Sequence, residues 1–334
     1  MAPNTRRFLF GSALVVAAGL CTGLVAYYSG VLPSRQVVRG ELAFIPADVA
    51  AVAYADVRQI MDSEFRQRLR SALPAAGSEK DRMLEATGID IERDIDAVVA
   101  GLQGDGTPGG IAILRGRFDR SRIEAAALQH GAVEEQYGGY AMLVGRPHTF
   151  DDGTSSHRLA PSVAFLGDGL LGLGDADELR RAIDVSVSGE SLSAAPDMMR
   201  LIDDVSGTGD AWFVARVARM TRQPGLPEQV QNQLAGVEWL AASANIDRSV
   251  RGRVRAEARD DRSAEDLRAV VNGAVAAARL FAGQDQRVTA ALNSLQASGS
   301  GRQVELAFEL PPSLLELLEA RAAAAMSPGP AAGH

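Results

Sequence analysis

Cysteine is nearly missing from this chain: one thiol, Cys21, stands among 334 residues. It falls inside an uncharged apolar run, so the sequence beyond residue 40 has no disulfide and no thiol chemistry. That does not exclude an oxidising compartment, because a chain this long can bury an adequate core without covalent staples. Lysine is as scarce. Lys80 is the single example, and the other 33 basic residues are arginine. Beside abundant Ala and Gly, that bias reads as base composition rather than as a design for phosphate. Excess positive charge is lacking too. Four of the 34 basic residues precede Glu41, the first acid, which leaves 30 against 42 acids and a net of −12 from there on. Such a field excludes nucleic acid as a partner held by overall charge. Histidine is limited to four, and neither H-E-x-x-H nor G-x-S-x-G occurs. No catalytic residue, cofactor or metal is therefore expected.

What is present begins with residues 8–28, FLFGSALVVAAGLCTGLVAYY, uncharged and directly behind Arg6-Arg7. At 1.5 Å per residue this run reaches about 30 Å, the hydrocarbon thickness of a bilayer. It is longer than the core of a cleaved signal peptide, and no small-x-small cleavage site follows it. Leu20 is the wrong residue to precede a lipidated Cys21. The expectation is an uncleaved transmembrane signal anchor over 8–32, with Tyr27 and Tyr28 at the interface. Residues 1–7 form a cytoplasmic tail and 33–40 a linker. Arg35 and Arg39 nearly balance Arg6 and Arg7, and the short tail makes N-inside the natural orientation. The remainder is then expected outside the bacterial inner (cytoplasmic) membrane, periplasmic or extracellular. Its partners would be the lipid bilayer, through the anchor, and an envelope protein. Thr5-Arg6-Arg7-Phe8-Leu9-Phe10 also resembles a twin-arginine export signal, although an ordinary basic segment accounts for the same residues.

Beyond the linker the pattern alternates between strand and helix periods. Val49–Val57 is an apolar, small-residue run that reads as a buried strand. A helix follows with Val57, Ile60, Met61, Phe65 and Leu69 on one side. Asp96–Gln103 and Gly109–Phe118 read as strands joined by the turn-rich Gly104–Pro108. A helix from about Asp119 carries the capping box Ser121-x-x-Glu124 and stops at His130-Gly131. Strands are expected around 133–146 and 162–174, the latter folding back at Asp168-Gly169, and Asp175 caps the next helix. The same grammar restarts near Asp210, with strands at Ala211–Val217, Val237–Ile246, Ser249–Arg259 and Val304–Leu310. Helices are expected at Pro227–Leu234, from Ser263, around 288–295 and from Pro311.

The two passes overlay. Asp96–Leu128 and Val237–Val271 each read strand, turn, strand, helix, and each is preceded by one earlier strand, DVAAVAYADV or GDAWFVARV. A diverged internal duplication with its boundary near 207–209 explains this. The fold class expected is α+β: two related modules (41–207 and 208–325), each an antiparallel sheet with helices on one face, and a disordered tail at 326–334. Phe44-Ile-Pro-Ala-Asp48 before an apolar strand, and the helix–helix–strand–Leu-Pro-Pro run from Ala264 to Pro312, resemble uncharacterised bacterial single-pass membrane-anchored proteins that share a domain of unknown function. That resemblance implies the architecture and no catalytic residue.

Three features invite a chemical reading. Gly104, Gly106, Gly109 and Gly167, Gly169, Gly172 both match G-x-G-x-x-G, but a dinucleotide loop must join a strand to a helix, and these join strand to strand. His148, Asp151, Asp152, Ser155, Ser156 and His157 crowd one loop from which a metal site or an envelope hydrolase could draw ligands; a solvated polar loop is the plainer account. The third feature is the run 249–259. Val250, Gly252, Val254, Ala256 and Ala258 alternate with Arg251, Arg253, Arg255, Glu257 and Arg259. Arg251, Arg253, Arg255 and Arg259 would suit phosphates or acidic sugars. Cross-strand pairing with Glu305 and Glu309 is the structural alternative, and the net negative charge favours it. With a two-residue turn at Asp247-Arg248, Trp239 would lie opposite Ala256, buried on the apolar face. The function expected is binding or scaffolding at the cell envelope, without catalysis.

Overall fold

Two strands, β1 (Ala51–Ala55) and β10 (Ala211–Arg216), are buried at nearly every position. They meet side by side within a single twelve-stranded antiparallel sheet. The computed structural model describes residues 38–72, 84, 87–104, 110–151, 156–167, 169–220, 235–281 and 286–312. The expected anchor at 8–32, the helix at 227–234, nearly all of the helix after Pro311 and the tail at 326–334 lie outside the described residues. Among those described, no helix is long and apolar enough to cross a membrane.

In chain order, α1 (Val38–Leu42) precedes β1, and α2 (Val57–Asp62), α3 (Glu64–Ala72) and α4 (Ile91–Asp94) lead to β2 (Ile95–Leu102) and β3 (Gly110–Gly116). Then come α5 (Arg120–Gln129), β4 (Val133–Tyr137), β5 (Tyr140–Val144), the hairpin β6 (His148–Asp151) and β7 (Ser156–Leu159), β8 (Pro161–Gly167), β9 (Leu170–Asp175), α6 (Ala176–Ser188) and α7 (Pro196–Val205). After β10 follow α8 (Val217–Met220), β11 (Val237–Ile246), β12 (Val250–Ala258), α9 (Asp261–Phe281), α10 (Gln286–Ser294), β13 (Gln296–Ser298) and β14 (Gln303–Leu310).

Outward from the central pair, the sheet runs β1-β2-β3-β9-β8-β5-β4 on one side and β10-β11-β12-β14-β13 on the other. Both sides thus begin with a strand, a hairpin and a later strand, in the same order. The α+β class and the antiparallel pairing agree with the sequence reading. The placement of the strands differs, since those of both stretches share one sheet rather than forming two. β1 and β10 explain the join: Ala51, Ala53 and Ala55 lie opposite Ala215, Phe213 and Ala211, and such small, apolar strands shed their polar backbone only by pairing on both edges.

Helix placement also departs from expectation. In the first half both faces are covered. Val52, Tyr54, Ile111 and Ile113 pack against Leu179 and Ile183 of α6 and Met198 and Ile202 of α7. Val98, Leu114 and Leu171, of opposite parity, pack against Val57 of α2 and Ile123 of α5. The cause is local: Ile111, Ile113 and Leu114 put buried apolar groups on both faces, so each face needs its own cover. In the second half both parities are apolar on β10 and β11, where Trp212, Val214 and Ala241 join the same core as α7, and only one parity is apolar on β12 and β14. Val237 and Ala256 meet Val217 of α8, and Ala258 and Val304 meet Ala264 of α9.

Caps set where these helices begin. Asp175 accepts the Asp177 N–H at the start of α6, and Gly189 ends that helix in the left-handed region at φ 81°, as a C-terminal glycine is suited to do. At α5 the cap is Asp119, which accepts the Arg122 N–H, rather than Ser121; Glu124 pairs instead with Arg120 one turn away.

Candidate functional site

β12 alternates as its sequence requires. Arg251, Arg253, Arg255 and Glu257 form one row and Val250, Gly252, Val254, Ala256 and Ala258 the other. The strand beside the charged row is β14, in a register that sets Arg251 opposite Glu309 and Arg255 opposite Glu305. Cationic β12 therefore lies against an anionic partner. Glu305 takes the Arg253 guanidinium at 3.2 Å and that of Arg255 at 3.5 Å. Glu309 accepts the Ser249 hydroxyl at 2.9 Å, and Arg251 is exposed. Arg259 falls past the end of β12, where its N–H donates to the Gly236 carbonyl at 3.0 Å. The arginines are thus not a bare cationic strip. Exposed pairs of this kind contribute about 0.2–1 kcal/mol each.

One side of this ledge is walled by α7. Arg200 reaches Glu257 at 3.2 Å, and Asp204 receives Arg255 at 3.4 Å. Arg302 adds contacts to Glu238 at 2.9 Å and Glu257 at 3.6 Å. Sequence reasoning missed all three: Arg200 and Asp204 lie on α7, which only the folded sheet brings beside β12, and Arg302 stands in the turn before β14. Between α7 and the sheet lies a slight depression of about 10 Å³, lined by Leu201, Trp239, Ala241 and Gln303 among others. Pockets for small ligands are usually about 300–1,000 Å³ and concave, so a flat contact suits this surface better than an enclosed ligand.

Trp239 corrects an expectation. The turn after β11 holds three residues, Asp247, Arg248 and Ser249, so Ile246 pairs with Val250 and Trp239 with Glu257. That one-residue slip moves every side chain to the other face. Trp239 is accordingly half-buried on the charged face, with the Arg216 guanidinium 5.4 Å from its ring centroid. Arg216 also donates to the carbonyls of Ala47 at 2.9 Å and Val49 at 3.3 Å, and its burial lowers its pKa from the ordinary arginine value.

Counterpart positions of the two halves differ sharply. A two-fold rotation about the Ala53–Phe213 pair carries Val52 onto Trp212. Following the registers outward, Ile111 and Ile113 then fall on Arg253 and Arg255, and Gly172 on Glu305. Gly172 has a reason to be glycine: a Cβ there would stand 2.8 Å from a Leu179 methyl of α6. The first half admits a helix on this face, and the second presents charge.

The remaining candidates are dispersed. Of the 148–157 stretch, His148 and Asp151 lie on β6 and Ser156 and His157 on β7, a separate strand pair with His148 opposite Leu159 and His157 opposite Phe150, so the two histidines are not cross-strand partners; Asp152 and Ser155 lie outside the described residues. Gly167 and Gly169 turn the β8–β9 hairpin at φ 85° and 75°, and Gly106 and Gly109 lie outside. Among the described residues, no group of three or more His, Cys, Asp or Glu is placed to hold a metal. His130 ends α5, its Nδ1 2.9 Å from the Ala126 carbonyl. Asp260 accepts the Ser263 N–H at 2.7 Å, which lowers its pKa.

At the top of the central pair, Asp56 and Asp210 are both buried and adjacent, the Asp56 N–H donating to the Asp210 carbonyl at 2.6 Å. Burial raises the Asp210 pKa, partly offset by the Ile246 N–H that its carboxylate accepts at 2.7 Å. Burial also raises the Tyr54 pKa, with Asp56, Glu41 and Asp210 adding to the effect. Buried Glu41 takes the Arg115 guanidinium nearby.

No protein-family model and no curated protein matches this chain. Among solved structures, crystal form I of TP0453 is similar at 8% identity over 84% of this chain and 96% of that one, with a TM-score of 0.44. A likeness that distant carries no argument about function.

Proposed function

We propose that this protein is a single-pass, membrane-anchored component of the bacterial cell envelope whose domain outside the cytoplasm binds or scaffolds another envelope protein, without catalysis. The uncharged run at 8–28 behind Arg6-Arg7 supports the anchor. The observation that carries the binding role is the ledge on β12 and β14. It is an open, charged surface with a half-buried Trp239 and flanking arginines, and Trp and Arg are the residues most enriched where protein interfaces concentrate their energy. Phosphate or acidic-sugar binding through Arg251–Arg259 is less well supported, because Glu257, Glu305 and Asp204 stand among these arginines and would repel a purely anionic ligand. We also infer that 41–207 and 208–325 are diverged copies of one module; the matching strand order on either side of β1–β10 supports that descent.

Two measurements test this reading. The mass of the mature N-terminus should be that of an uncleaved chain, and a terminus near residue 30 would contradict the anchor. Affinity capture from solubilised membranes should recover a defined envelope protein in fixed ratio. Recovery of none, together with turnover of an envelope substrate by the purified protein, would replace binding by catalysis.

A further inference from the structure

Deepening that reading and resting on it, we propose that the ledge of β12 and β14 is the docking site for an α-helix of a partner protein, with acidic residues along one side of the helix and basic residues along the other. The counterpart strands β3 and β9 carry a helix of their own, α6, across this same face. The ledge is the strip of β12 and β14, with α7 on one side and the short edge strand β13 on the other; two strands about 4.8 Å apart offer a span close to the roughly 10 Å diameter of one helix. The free edge is itself closed to strand addition near its end. The Ser294 hydroxyl donates to the Glu309 carbonyl and accepts the Glu309 N–H, both at 2.9 Å.

Charge decides what sort of helix fits. An apolar stripe like that of α6 would bury Arg253 and Glu305 unhydrated, which is costly. The two rows instead ask for opposite signs. Acids belong over Arg251, Arg253 and Arg255, and bases over Glu305 and Glu309. Spacing agrees, since alternate residues of a strand advance about 6.6–6.8 Å and every fourth residue of a helix about 6 Å. Three acids at four-residue intervals therefore track the arginine row, with bases along the other flank over Glu305 and Glu309. Arg251 is exposed, and Arg253, its side chain 58% exposed, can exchange its Glu305 contact for one to the visitor.

The test uses the full-length protein in detergent and two labelled alanine-based peptides of about 20 residues, long enough for helix formation in water. One peptide has glutamates and arginines in opposed stripes; the other has the same composition scrambled. Fluorescence anisotropy should show saturable binding of the striped peptide that weakens as salt rises, with the scrambled peptide about tenfold weaker or more. Arg251→Glu/Arg253→Glu should lose about tenfold as well, while circular dichroism shows the variant folded. Equal binding of both peptides overturns the proposal, and so does saturable binding of inorganic polyphosphate alone by the same arginines. Binding that appears only after removal of residues 313–334 would mean that the chain covers the ledge itself, and also overturns it. If membrane capture recovers the same partner with the wild type and the double variant, the binding role stands and the ledge is not where it acts.

Discussion

The halves of this sheet share a strand order and differ in what they do with one face. Around β3 and β9, Ile111, Ile113 and Gly172 lie beneath α6 and α7; at the counterpart positions around β12 and β14, Arg253, Arg255 and Glu305 face water. Topology therefore does not determine burial. The parity of apolar residues along each strand does, and glycine at one position decides how closely a helix may approach. In this molecule the same strand order carries a packed wall on one side and a charged, ion-paired surface on the other.

Exchanging the characters of the counterparts should break this contrast most visibly. Gly172→Glu drives a carboxylate against Leu179 beneath α6 and is expected to cost about 4 kcal/mol or more, the range of a buried unpaired charge. Glu305→Gly removes two partly exposed pairs and places glycine in a strand, and should cost about 1–3 kcal/mol. Urea unfolding of both variants gives the comparison. Next in size, Ile113→Ala should lose about 2–5 kcal/mol, against less than about 1 kcal/mol for Arg255→Ala.

A smaller effect belongs to the join between the halves. The folded-state pKa of Asp210 lies above its unfolded value of 3.8. Its charged form is thus the disfavoured one in the fold, and its contribution falls as pH rises from 3.8 through the raised value. Asp210→Asn, which can still accept the Ile246 N–H, should raise the melting temperature at pH 7 relative to wild type and leave little difference at pH 4. An equal difference at both pH values would contradict this. Glu135, whose pKa is lowered by its hydrogen bonds from Arg180, has the opposite sign; its contribution is lost as pH falls below 4.5. The smallest expected change is at Arg253→Ala, about 0.2–1 kcal/mol, which would sharpen the contrast with Ile111.

Much of this was legible in the residues. The alternation in 249–259 gave the two rows of β12, Val49–Val57 marked the buried β1, and Asp175 announced the start of α6. Glu305 and Glu309 could be paired with the arginines because strand register acts on spacing alone. Three things were not legible. The β1–β10 join depends on strands more than 150 residues apart (Ala51 with Ala215), and nothing local records such pairing. Trp239 was misplaced by one residue of turn length, which inverts a strand's faces. The wall of Arg200 and Asp204 comes from α7, whose sequence carries only its own amphipathicity.

The claim that counterpart positions have opposite fates can be measured directly, because Cys21 is the single native thiol. In a Cys21→Ser background, cysteine is placed at 253 or at 111 and its reaction with a maleimide is timed under native conditions. Arg253→Cys should react at the rate of an exposed thiol. Ile111→Cys, at a site 3% exposed, should react only as fast as the protein opens and should reach the same rate as the first once urea unfolds both. Comparable native rates at the two positions would contradict the account.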